Sequence, residues 1–285
     1  MRPQVVAAGK ADTVTILGHG LTISSPVELT KGVFVEPAVP DLKEDALGSG
    51  CATDHDRFAV QAMHDLATFS VRVFEPTGGK VLATKAWNAL WCFHLLSVCC
   101  GSPTFILYSV SVGGTTEYAV ANRNLVLNPL PNLAAVSASQ LAWAKANYKR
   151  FDQLIKDQRF GSAMRYFGNS HYLFDLDARI MLLWAGIEGL LAVEAEQSWR
   201  IATYAALMFD GSAEEKAAHA DRVRKAYHLR SKVIHGAKPS MDKLQEGYDT
   251  ASEILVRLLA KCVCLGRVPT RVELHGLAAS ASLTV

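Results

Sequence analysis

The stretch Asp177-Ala178-Arg179-Ile180-Met181-Leu182-Leu183-Trp184-Ala185-Gly186-Ile187-Glu188-Gly189-Leu190-Leu191 carries the clearest fold signal in the chain. Ile180, Leu183, Trp184, Ile187, Leu190 and Leu191 recur at helical spacing and make one apolar stripe, so a buried helix is predicted over 175–195. The same spacing continues on both sides. No proline occurs between Pro131 and Pro239, and further helices are predicted over 137–157, 197–209 and 241–265. Another is predicted from Ser212 towards His235, with Ser212 as its cap and Glu214 and Glu215 in its first turn. Gly236 can stop that helix, and Gly266 and Pro269 end the one over 241–265. The tail after Arg271 is small and polar, which predicts partial disorder.

Upstream of about residue 134 the pattern is mixed. Residues 13–24 are rich in β-branched side chains interrupted by Gly18 and Gly20, suggesting a pair of strands. Further strands are predicted over 32–36, 69–74, 104–112 and 116–122, with a short helix over 57–68 and a longer one over 85–100. Residues 40–56 are polar and glycine-bearing and read as a loop, and Pro76-Thr77-Gly78-Gly79 reads as a turn. The expected fold class is therefore an α+β N-terminal half (1–133) followed by an all-α helical bundle (134–270) and a tail (271–285).

Composition narrows the function classes. Half of the 285 residues are hydrophobic and 20% are charged, the balance of an ordinary globular protein. A formal charge of +2 is too small to imply a nucleic-acid partner by itself. Cys51, Cys92, Cys99, Cys100, Cys262 and Cys264 include no CxxC pair, so neither a zinc site nor a redox pair of that spacing is predicted. No cofactor is expected. Residues 86–116 are uncharged, but Gly101-Ser102-Pro103 cuts them into pieces shorter than the roughly 20 residues of a membrane span. Residues 1–10 lack the apolar core of a signal peptide, and a reducing cytoplasm is the expected setting.

The chemistry concentrates in Tyr227-His228-Leu229-Arg230-Ser231-Lys232-Val233-Ile234-His235-Gly236. A guanidinium holds phosphate through paired hydrogen bonds, and an imidazole moves protons near neutral pH. Those are the two functions of a nuclease that works without a metal. No acid falls between Arg222 and Lys238, whereas Arg222, Arg224, Lys225, Arg230, Lys232 and Lys238 do. That run favours a polyanion. Five residues turn a regular helix through about 140°, so Arg230 and His235 share a face only if the helix ends between them or a second helix completes the site. The same residues also suit a surface arginine and a histidine placed at a helix C-terminus.

Taken together, the 177–191 helix and the 227–236 segment resemble the HEPN superfamily, and most closely its Apea-like group. In that group a helix of the form R-x-x-x-L-W-x-x-I-E-x-L-L precedes Y-x-x-R-S-K-I-V-H-G. The resemblance covers residues 174–265, about a third of the chain. It implies a compact helical bundle that pairs as a homodimer. It also implies a metal-independent endoribonuclease whose R-x(4–6)-H motifs from two protomers face one composite cleft, used in RNA restriction such as phage defence or a toxin-like response. Carried over, Arg230 binds the scissile phosphate and His235 transfers protons in an attack by the ribose 2′-hydroxyl. The products would be a 2′,3′-cyclic phosphate and a 5′-hydroxyl end, and DNA would resist. Ser231 stands where many active members carry Asn, Asp or His. The alternative is a non-catalytic RNA- or nucleotide-binding or dimerisation module with an idle motif.

Supporting roles remain open on the residues alone. Glu188 either orients Arg230 or sits on a solvated edge. Arg179 either pairs across the bundle or lies on the surface, and Tyr227 either stacks on a base or belongs to the core. Lys232, His228 and Arg224 are candidate RNA contacts or solvated charges.

Overall fold

The computed structural model describes residues 5, 7, 9–121, 132–193 and 197–282. The far ends of the strand expected over 116–122 and of the helix expected over 175–195 lie outside the described residues. Two compact units divide the chain, Met1–Tyr148 and Lys149–Val285.

The first unit is built around β1 (Thr13–His19), whose Val14 and Ile16 are fully buried. It is a central strand of a six-stranded antiparallel sheet completed by β3 (Val27–Thr30), β4 (Val33–Glu36), β5 (Phe69–Phe74), β6 (Phe105–Val112) and β7 (Thr116–Val120). The order is β3-β4-β5-β1-β6-β7. Registers Val14↔Val73, Ile16↔Val71, Val33↔Val73 and Val35↔Val71 line these β-branched side chains into one buried face. Opposite Phe34, Arg72 lays its guanidinium 4.2 Å from the ring centroid and pairs with Glu36 at 2.7 Å.

Four helices accompany the sheet: α1 (Glu44–Gly50), α2 (Asp54–His64), α3 (Gly79–Ala89) and α4 (Trp91–Cys100). Phe93 of α4 meets Phe69 with ring centroids 5.3 Å apart. Gly18 lies beneath them, where a Cβ would come within 2.5 Å of Phe93 Cε1 and 2.6 Å of Phe69 Cζ.

Several expectations change here. The polar segment 40–56 contains α1 and the start of α2 instead of a loop, because Thr53 accepts the Asp56 N–H and caps α2 at 3.0 Å. The strands in 13–24 do not pair with each other. Only Gly20 separates β1 from β2 (Leu21–Thr22), fewer than the two residues a tight hairpin needs, and β2 pairs in parallel with β8 (Ala134–Ala135). The helix expected over 85–100 starts earlier and is divided at Leu90. β3 had no counterpart in the sequence reading.

The second unit is helical. α5 (Ala138–Leu154) enters it, followed by α6 (Gln158–Ser170), α7 (Leu176–Leu191), α8 (Gln197–Leu207), α9 (Ala213–Ile234), α10 (Met241–Leu265) and α11 (Arg271–Ser282). α7 touches α6, α8, α9 and α10, so the stripe read from the sequence is the hub of the unit. Ile180, Leu183, Trp184 and Ile187 are fully buried. α6 was missed, although Phe160, Ala163, Met164 and Phe167 recur at helical spacing and are buried. The Asp157 carboxylate starts it by accepting the N–H groups of Arg159 and Phe160 at 2.9 and 3.0 Å. The tail expected to be loose instead forms α11. Thr270 accepts the Glu273 N–H at 3.2 Å while Glu273 accepts the Thr270 N–H at 2.7 Å, and Leu274 and Ala278 are buried.

Candidate functional site

α9 begins with a capping box between Ser212 and Glu215, so the long polar helix has a defined first turn. Its inward residues near the other end are Val223 and Tyr227. Tyr227 meets Trp184 of α7 edge to face, with centroids 5.2 Å apart and planes at 84°. One turn on, the Arg230 guanidinium carbon lies 5.3 Å from the Tyr227 ring centroid, and Nη1 donates to the Tyr227 hydroxyl at 3.5 Å. Arg230 Nη2 lies 3.1 Å from Glu188 Oε1. The structure thus brings Glu188, Tyr227 and Arg230 together, and places Trp184 beside them.

The ion pair is half-buried, with 21% of the Arg230 side chain and 17% of the Glu188 side chain exposed. It is also loosely aligned. Glu188 Oε1, Arg230 Nε and Trp184 Nε1 are buried without a hydrogen-bond partner among the described residues. Burial raises the Glu188 carboxyl above the ordinary glutamate range, and the neighbouring Arg230 pulls only partly the other way. The single-nitrogen contact leaves the guanidinium short of the two-pronged pairing that carboxylates and phosphates favour.

His235 is elsewhere on the helix. α9 stays regular through Ile234, His235 is its exposed C-cap residue, and Gly236 takes φ +80°. Gly236 N–H donates to Val233 at 3.0 Å and Ala237 N–H to Lys232 at 3.0 Å, a Schellman ending. The helix therefore does not loosen between Arg230 and His235, so the two side chains leave it in directions about 140° apart. Ser231 is half-buried and accepts the His235 N–H through its carbonyl at 3.1 Å. His228 and Lys232 are exposed, as is Lys238 beyond the turn.

The basic run is less unopposed than the sequence suggested. Asp221 binds Arg224 at 2.6 Å and Lys225 at 2.7 Å, while Glu253 of α10 holds Arg222 and, at 2.8 Å, Arg257. Asp221 was legible at helical i, i+3 and i, i+4 spacing, whereas Glu253 arrives through tertiary packing. Lys232 and Lys238 have no acidic partner among the described residues. Arg179 is half-buried and engaged within the bundle. Its Nε donates to the Leu173 carbonyl at 2.7 Å and its guanidinium lies 5.6 Å from the Tyr248 ring centroid. Tyr248 in turn bonds His171 at 2.7 Å, and burial pushes that imidazole down to about 3.

Among the described residues, no three His, Cys, Asp or Glu side chains gather closely enough to hold a metal ion. No helix among them is long and apolar enough to cross a membrane. Chemically, the end of α9 offers one restrained guanidinium, two accessible imidazoles in His228 and His235, and exposed positive charge. No family model matches the chain, and neither a curated protein nor a solved structure matches it.

Proposed function

We propose that the chain is a metal-independent endoribonuclease of the HEPN kind, acting in RNA restriction, with Arg230 and His235 as its catalytic pair. The observation that carries the reading is the division of labour at the end of α9: Arg230 is fixed by Glu188 and Tyr227, while His235 stands free in solvent one turn away. Because the two residues diverge on one regular helix, a single chain does not complete a site. A homodimer in which the α9 ends of two protomers face one another supplies the missing partner. His228, Lys232 and Lys238 would then line the approach of the RNA backbone.

In this mechanism the Arg230 guanidinium neutralises charge on the phosphorane, and His235 carries a proton between the 2′-hydroxyl and the leaving oxygen. Glu188 holds Arg230 in place and Tyr227 supports it from the side. Ser231, set back from solvent, contributes a backbone carbonyl to the helix ending. The test is cleavage of single-stranded RNA in the presence of EDTA. His235→Ala should lower the rate by ~10²-fold or more. Unchanged cutting by that variant would remove His235 from the reaction.

The Glu188–Arg230 pair also favours a second reading, in which Arg230 is a packing residue and the bundle only binds RNA or a nucleotide. Binding that survives both Arg230→Ala and His235→Ala, with no cleavage by the unaltered protein, decides for that reading.

A further inference from the structure

The last turn of α4 holds two adjacent cysteines whose sulfurs face each other, Cys99 Sγ and Cys100 Sγ, 3.7 Å apart. Both residues are half-buried, so small reagents can reach them. The Cys99 thiol hydrogen also has a second acceptor, the Gln140 carbonyl at 3.4 Å. Gln140 returns the contact, since its side-chain Nε2 donates to the Cys99 carbonyl at 3.1 Å. The same Gln140 uses Oε1 to accept the Ser137 N–H at 2.9 Å, while Ser137 Oγ accepts the Gln140 N–H at 3.2 Å, which caps α5. One glutamine thus closes the start of α5 and ties it to the end of α4.

We propose that Cys99 and Cys100 are a redox modification site that reacts with small disulfides of the glutathione class to give a vicinal disulfide, opening the last turn of α4 and freeing Gln140. Cys99 keeps its proton, donated to the Gln140 carbonyl at 3.4 Å, and the contact between the two sulfurs holds the Cys100 thiol below its ordinary range. Cys100 is therefore the attacking thiolate. Its sulfur bonds to one sulfur of the reagent and expels the other half as a thiolate. The Cys99 sulfur, giving up its proton, then attacks Cys100 Sγ and expels the second half. One S–S bond forms in the protein as one breaks in the reagent. The protein loses two electrons and two protons, and the reagent becomes two thiols.

Backbone geometry makes this bond a reversible one. Adjacent Cα atoms are about 3.8 Å apart across a trans peptide, below the roughly 4.4 Å at which ordinary disulfides begin. The product is therefore strained and easily reduced again, the behaviour of a labile disulfide rather than a structural one. Helical backbone at 99–100 cannot relieve that strain without moving the Cys99 carbonyl, which is the group Gln140 holds.

The experiment treats the full-length protein with glutathione disulfide, alkylates the remaining thiols and digests with trypsin. The expected result is a loss of two hydrogens in the peptide spanning 86–123, retained in Cys92→Ser. Cys99→Ser should instead trap glutathione on Cys100. Hydrogen exchange of the oxidised protein should quicken at 97–101 and 137–141, and dithiothreitol should reverse both changes. The proposal is overturned if the peptide keeps its hydrogens, if the loss persists in Cys100→Ser, or if glutathione stays on unaltered protein unresolved.

Discussion

Glu188 and Arg230 set the terms at the scale of single residues. Removing the arginine leaves a half-buried carboxylate unpaired, so Arg230→Ala should cost ~1–3 kcal/mol of stability as well as activity. His235→Ala should cost almost none, because His235 is exposed. Urea unfolding of the two variants beside the parent separates a catalytic loss from a folding loss. Glu188 also links stability to pH. Its folded pKa is raised, so the favourable contribution is complete below the ordinary value of 4.5 and is lost as pH rises through the folded value. Glu188→Gln has no such titration. The parent should therefore gain on that variant as pH falls from about 7 towards the ordinary value of 4.5, by no more than ~1.4 kcal/mol per pH unit. A constant difference between the two across that interval would mean Glu188 ionises as it does in the unfolded chain. Gly18 is a packing counterpart: Gly18→Ala drives a methyl into Phe93 and Phe69 and should cost ~1–3 kcal/mol by the same measurement.

Secondary-structure elements differ in how legible they were. The apolar stripe of α7 and the Ser212 cap of α9 were plain, since each depends on residues within a few turns. The pairing of Arg224 and Lys225 with Asp221 was equally local, at i, i+3 and i, i+4 spacing. β3 and α11 were hidden because a four-residue strand and a small-residue helix are stabilised by caps and tertiary contact, not by a strong period, whereas the period of α6 in Phe160, Ala163, Met164 and Phe167 was there to be read. The reach of Glu253 to Arg222, and of Glu188 to Arg230, depends on which helices adjoin and could only be guessed. α11 gives a direct test. Leu274→Ala should cost ~2–4 kcal/mol if the helix is anchored on α8 through that side chain, read as a shift in the urea midpoint. A negligible shift would return the segment to the loose tail expected from composition. The α9 ending makes a second case, for Gly236→Ala must hold φ +80° with a side chain and should cost ~1 kcal/mol.

Whole-molecule behaviour turns on whether one chain suffices. If Arg230 and His235 act across a dimer, mixing Arg230→Ala with His235→Ala protein should restore part of the cutting that neither shows alone. No restoration, with dimers present by sedimentation, would confine the reaction to one protomer or dismiss it. The two units also differ in how far apart their touching residues lie along the chain. In the helical unit α6 meets α7 and α8 meets α9 as soon as each pair is made, but β1 must wait for β5 at 69–74 and β6 at 105–112, and β2 for β8 at 134–135. Contacts between distant residues slow folding, because each closes a long loop before it is rewarded. Val14 and Ile16 therefore wait first for Val73 and Val71, and then for Ser111 and Ser109, before both edges of their strand are paired.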